Sequence, residues 1–170
     1  AAMNVQNANY VAWNWDESAT AGFDILTYEG TGSNTTVSHN LGVVPEFIVV
    51  KNLTDGASVP VLIQGLTGVA ADTLYWGNKN VASSGQTSVF QSTAPTSSVF
   101  SVATHSESNG SGKDYIAYLW TSVEGYSKIG LYKGNGDSNG PFIPLGFKPA
   151  FLMVKSTSNA ENWNVFDSTR

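Results

Sequence analysis

The chain has 170 residues, no cysteine, and only 12% Asp, Glu, Lys and Arg, about half the ~25% of an average soluble domain; Ser, Thr, Asn and Gly take their place, as in turn-rich β proteins. A net charge of -5 repels phosphate backbones, so nucleic-acid binding is not expected, and without cysteine neither a disulfide framework nor a thiolate metal site can form. No run approaches the ~20 apolar residues of a membrane-spanning helix, and residues 1–8 lack the basic-then-apolar pattern of a signal peptide, so membrane insertion is not expected either.

Taken in chain order, the predicted elements are all strands. Short β-branched or aromatic runs occur at 10–15 (YVAWNW), 22–28 (GFDILTY), 46–51 (EFIVVK), 59–63 (VPVLI) and 98–104 (SVFSVAT). Others follow at 114–120 (DYIAYLW), 127–133 (SKIGLYK), 150–155 (AFLMVK) and 163–166 (WNVF). Gly, Pro, Asn and Ser bound them, and none keeps a period near 3.6 over helical length. The junctions 30–34 (GTGSN), 53–56 (LTDG), 83–86 (SSGQ), 108–112 (SNGSG) and 134–140 (GNGDSNG) are turn chemistry, because Gly and Asn reach positive φ at little steric cost. Many short strands at such spacing predict an all-β fold, a jelly-roll-like β-sandwich.

The chain also resembles itself. At an offset of 104, residues 25–61 and 129–165 share eleven identities in 37 positions, where chance would give roughly two to four. The shared residues include Tyr28 and Tyr132, Gly30 and Gly134, Gly32 and Gly136, Gly42 and Gly146, Pro45 and Pro149, and Lys51 and Lys155. Upstream, Tyr10, Ala12 and Trp15 match Tyr115, Ala117 and Trp120 at an offset of 105. The pattern predicts tandem repeats of about 104 residues: 1–20 as the end of a preceding repeat, 22–121 as a complete β repeat, and 125–170 as the first half of a following one. Such a chain is expected to be a fragment of a longer array, or a unit whose two partial copies complete each other, with 10–15 pairing against strands of the 125–170 half.

The stretch GYSKIGLYKGNG (125–136), followed by GFKPAFLMVK (146–155) and NWNVFDSTR (162–170), resembles a repeat module of bacteriophage tail-fibre and other virion appendage proteins. Its spaced residues here include Gly134, Gly136, Pro149, Lys155, Trp163, Asp167 and Arg170. Val59 and Ile63 stand in the first copy where Trp163 and Asp167 stand in the second, so the first copy departs from the pattern. The resemblance implies a structural and recognition segment of a virion, made in the bacterial host cytoplasm, partnered by other virion proteins and by copies of itself in a homotrimer, with possible contact to host-surface glycan. A capsid decoration or head-fibre protein is the alternative, and a glycan depolymerase a third.

No catalytic role is expected. The acids are scattered, and none is kept at equivalent positions of both copies: Glu29 meets Lys133, and Asp55 meets Asn159. His39 and His105 are too few for a zinc site without cysteine, and are expected as solvent-facing or capping residues. The loop 134–140 alternates oxygen-bearing residues as a calcium loop does, but its counterpart in the first copy has no acid, so no metal or cofactor is expected. Lys51 and Lys155 are expected to end strands at a sheet edge, Asp167 and Arg170 to pair with a neighbour, and Trp15 and Trp120 to belong to the core. The segment 64–98 has no counterpart elsewhere in the chain. Its Tyr75 and Trp76, followed by Asn78 and Lys79, combine aromatic faces with amide and ammonium donors, which suits a sugar ring and its hydroxyls.

Overall fold

The computed structural model describes residues 6–10, 12–63, 73–77, 82 and 87–168. Over these the fold is all-β apart from one helical turn. A five-stranded antiparallel sheet holds β1 (Phe23–Glu29), β3 (Phe47–Asn52), β4 (Pro60–Ile63), β5 (Thr73–Tyr75) and β7 (Asp114–Trp120) in the order β1-β7-β3-β4-β5. β7 comes last in sequence yet lies between β1 and β3, pairing Tyr115 with Tyr28 on one side and with Asn52 on the other. Its alternation explains why it can sit there. Tyr115, Ala117 and Leu119 are buried on one face, and Ile116, Tyr118 and Trp120 are half-buried on the other, so both surfaces of the strand have something to cover.

Tyr115, Ala117 and Leu119 join Ile48, Val50 and Leu62 in the main core. That core is closed from outside by β2 (Thr35–Ser38) and β6 (Val99–Val102), which pair antiparallel as a second sheet, and by α1 (Thr87–Phe90). Val37, Val89, Phe90, Phe100 and Val102 are the side chains they contribute. Full burial of each is worth roughly 1.5–3 kcal/mol.

The opposite face of the large sheet carries Phe47, Val49, Val61 and Leu74, and it is covered by residues from the second half of the chain: Ile129, Met153 and Trp163. There β8 (Phe151–Val154) pairs antiparallel with β9 (Asn164–Asp167). The offset of 104 lays β8 on β3 and β9 on β4, and the ladder is the same. Phe47 faces Ile63 as Phe151 faces Asp167, Ile48 faces Leu62 as Leu152 faces Phe166, and Val49 faces Val61 as Met153 faces Val165. Details around the hairpins also repeat. Gly32 and Gly136 both have positive φ (70° and 74°), as do Gly42 and Gly146 (71° and 82°), conformations that favour glycine. Lys51 Nζ donates to the carbonyl of Asn52 at 2.6 Å, and Lys155 Nζ to that of Ser156 at 2.7 Å.

Several expectations need correction. No strand is assigned over 12–17 or 128–150, although 10–15 and 127–133 read as strands. The second of these is the counterpart of β1, and β1 is held by β7. In the second half only an isolated bridge, Val123 to Ser127, forms near that segment, so strand-forming residues have no ladder to join. Sequence periodicity did not anticipate α1, a single turn that tucks Val89 and Phe90 under the sheet, nor β2 and β5, which are four and three residues long. Lys51 ends a strand inside the sheet, between β7 and β4, not one at its edge.

Candidate functional site

The most extensive concentration of chemistry outside the main core is an aromatic seam between the large sheet and the second half of the chain. Phe47 and Trp120 are cross-strand partners on the outer face, their ring centroids 5.4 Å apart. Trp120 meets Trp15 edge-on at 6.1 Å, and Trp15 meets Phe151 edge-on at 6.0 Å. Trp13 approaches the same Phe151 at 5.6 Å. These separations and tilts are those that aromatic quadrupoles favour. Trp15 was expected in the core; it is exposed on its outer side and works in the seam.

Tyr75 and Trp76 stand at the far end of this seam. The carbonyl of Tyr75, at the end of β5, accepts a hydrogen bond from Trp163 Nε1 at 3.0 Å. The Trp76 N–H donates to the carbonyl of Val59 at 2.8 Å, which holds the residue against β4. One side of the Trp76 ring is taken by Trp163, 5.2 Å away and tilted by 33°, and Phe47 lies 6.4 Å off. Trp76 is still 44% exposed. Burial, with the Glu107 carboxylate nearby, pushes the Tyr75 hydroxyl up to about 12, so it is a neutral donor at any ordinary pH. Asn78 and Lys79 lie outside the described residues, as does Arg170. Trp163, read from sequence only as a motif residue, is the group that ties the second half of the chain to Tyr75 and Trp76. Of the other motif residues, Gly134 and Gly136 lie in an exposed loop, Pro149 precedes β8, Lys155 follows it with its Nζ on the Ser156 carbonyl, and Asp167 ends β9.

The remaining candidates have structural partners. In the loop 134–140, Asn135 Oδ1 accepts the Asp137 N–H at 3.0 Å and Asp137 Oδ1 accepts the Asn139 N–H at 2.9 Å, two successive side-chain turns. Among the described residues no group of three or more His, Cys, Asp or Glu side chains is placed to hold a metal. His39 is buried, not solvent-facing: its Nδ1 accepts the Leu41 N–H at 3.3 Å, which leaves Nε2–H to donate to Thr96 O at 3.1 Å. His105 Nδ1 accepts the Glu107 N–H in the same capping manner.

Sequence reasoning missed the buried polar latch over the top of β7. Tyr115 OH donates to Ser106 O at 2.7 Å and accepts the Gly110 N–H at 2.7 Å, while Asn52 Nδ2 donates to Ser106 O at 2.9 Å. Asn109 donates to Ala103 O and Ser33 O and accepts the Thr31 N–H. Every such bond satisfies a group that would otherwise be costly to bury. The latch fixes the 105–113 loop against the turn that follows β1. Two surface depressions are open grooves along β1, lined by residues such as Leu26, Tyr28, Val37 and Asp114, and neither reaches Tyr75 or Trp76.

No curated protein matches the chain, and no solved structure does. Residues 1–170 are matched from end to end by one family, described as a domain of unknown function (DUF7483), and the chain belongs to that family.

Proposed function

We propose that the chain is a structural and recognition segment of a bacteriophage virion appendage, a tail fibre, with no catalytic role. On this reading it is built from jelly-roll-like β-sandwich units that recur every 104 residues or so, and it assembles with other virion proteins and with its own copies as a homotrimer. The particle is made in the bacterial host cytoplasm. The observation that carries the reading is the way β8 and β9 repeat the register of β3 and β4 while Met153 and Trp163 pack on the apolar cluster of Phe47, Val49, Val61 and Leu74. Units that recognise one another through one repeated apolar face are what a rod-like appendage requires. The resemblance of residues 125–170 to phage appendage repeats supplies the setting.

Where the appendage meets its host, Trp76 is the side chain best suited to lie against a sugar ring, with Tyr75 beside it and Asn78 and Lys79 following in sequence. Immunogold electron microscopy of the phage that encodes the chain tests the proposal, using antibody raised against the purified protein. Gold along the tail appendage is the expected result. Gold on the capsid shell would favour the decoration protein, and particles without label would overturn a virion role.

A further inference from the structure

The contact between the two halves of the chain has an apolar part and a polar part, and they do different things. Ile129, Met153 and Trp163 pack on the cluster of Phe47, Val49, Val61 and Leu74. Such packing supplies strength but has no direction of its own. Two hydrogen bonds accompany it. Trp163 Nε1 donates to the Tyr75 carbonyl at 3.0 Å, and the Ala82 N–H donates to the Thr157 carbonyl at 3.0 Å. Hydrogen bonds are directional, and two of them at separate points leave the halves no freedom to swivel about the apolar patch.

The partners in these bonds occupy unlike places in the shared plan. At the offset of 104, Trp163 corresponds to Val59 and Thr157 to Leu53, not to Tyr75 and Ala82. A contact between unlike positions of like units is heterologous: it joins them head to tail and in one direction, and it extends into a filament where the rotation does not close a ring.

Trp163 is also a point where the two halves differ. Its ring lies 5.2 Å from that of Trp76, tilted by 33°. The valine at the equivalent position, Val59, has neither a side-chain N–H to donate nor a ring to lay beside Trp76. From this we infer that Trp163 is the specificity determinant of a one-way joint between successive repeats. The end of β5, Tyr75 and Trp76, receives a following repeat that carries tryptophan at this position and does not hold one that carries valine there. Discrimination of this kind is a difference between two partners, here one N–H and one ring. The inference rests on the reading of the chain as repeats and adds to it which repeat can follow which.

Trp163→Val gives the second half the residue of the first, and hydrogen exchange on the full chain reads the result, with Trp163→Phe beside it. In Trp163→Val, residues 73–76 and 164–167 should exchange at least about tenfold faster than in the parent while 47–52 and 114–120 are unchanged. Trp163→Phe keeps a ring and loses the N–H, so it should fall between the two. Parent-like protection of 73–76 and 164–167 in Trp163→Val would overturn the joint and leave the repeat reading standing. Faster exchange across 47–52 and 114–120 as well would overturn both, because the halves would then open as one body and not as two joined repeats.

Discussion

Two regions of this chain share a hairpin and differ in what covers it. In residues 22–121, Ile48 and Leu62 are 0% and 1% exposed; their counterparts Leu152 and Phe166 are 45% and 58% exposed. The ladder between them is the same in both regions, so the difference does not arise in the hairpin. It arises because β2, β6 and α1 close over the first hairpin and no described element closes over the outer side of the second. A strand pair with the right register is therefore only a template, and its stability comes from the layer packed against it.

The largest expected effect contrasts the two at equivalent positions. Leu62→Ala should lower stability by about 2–5 kcal/mol, as for a fully buried leucine, whereas Phe166→Ala should cost less than about 1 kcal/mol. Urea unfolding of both variants measures the difference, and similar losses would mean that the outer side of β8 and β9 is covered in solution.

A second contrast uses the paired glycines. A Cβ on Gly30 would fall 2.2 Å from the carbonyl oxygen of Gly110 and 2.8 Å from the Tyr115 ring, whereas at Gly134 it would meet nothing within 4 Å. Gly30→Ala should cost roughly 1–3 kcal/mol through forced backbone movement, and Gly134→Ala should lie within about 0.5 kcal/mol of the parent. Thermal melts followed by near-ultraviolet circular dichroism check both.

Smaller still is the link between the regions. Trp163→Phe keeps a ring beside Trp76 but removes the N–H that Tyr75 O accepts, so it should cost about 0.5–1.5 kcal/mol. Tryptophan fluorescence should show Trp76 becoming more exposed to a soluble quencher, and an unchanged quenching curve would separate Trp76 from Trp163.

A further effect appears only at high pH. Burial raises the hydroxyl of Tyr75 to about 12 and pushes those of Tyr28 and Tyr115 upward as well. A group whose pKa is raised on folding contributes stability that is complete below its unfolded value near 10 and is lost as pH rises through the folded value. Stability should therefore be flat up to about pH 10 and fall toward pH 12, with phenolate absorbance for these residues appearing late. A titration in which every tyrosine ionises together near pH 10 would contradict their burial.

Much of this arrangement was legible in the residues. β1, β3, β4, β6, β7, β8 and β9 fall on alternating or β-branched runs, and the eleven shared identities pointed to the common hairpin. The runs at 10–15 and 127–133 have the same character, but strand-forming residues become a strand only where a partner ladder exists, and that is a long-range fact. β2 carries one buried side chain, Val37, among Thr and Ser, and β5 and α1 span only three and four residues, so none of them shows an apolar period. At the seam, the matching of Trp15 with Trp120 pointed to packing, and the two rings do meet. The bond from Trp163 to Tyr75 joins residues 88 apart, with nothing local in either sequence to announce it.

The central claim is that the two regions are copies of one hairpin plan joined through the aromatic seam, and hydrogen exchange on Trp15→Ala tests it most directly. The claim predicts that protection is lost across 151–154 and 164–167 while 47–52 and 114–120 keep theirs, because Trp15 bridges Trp120 and Phe151 and the first region has its own closed core. Protection lost first in 47–52 and 114–120, or unchanged everywhere, would contradict it.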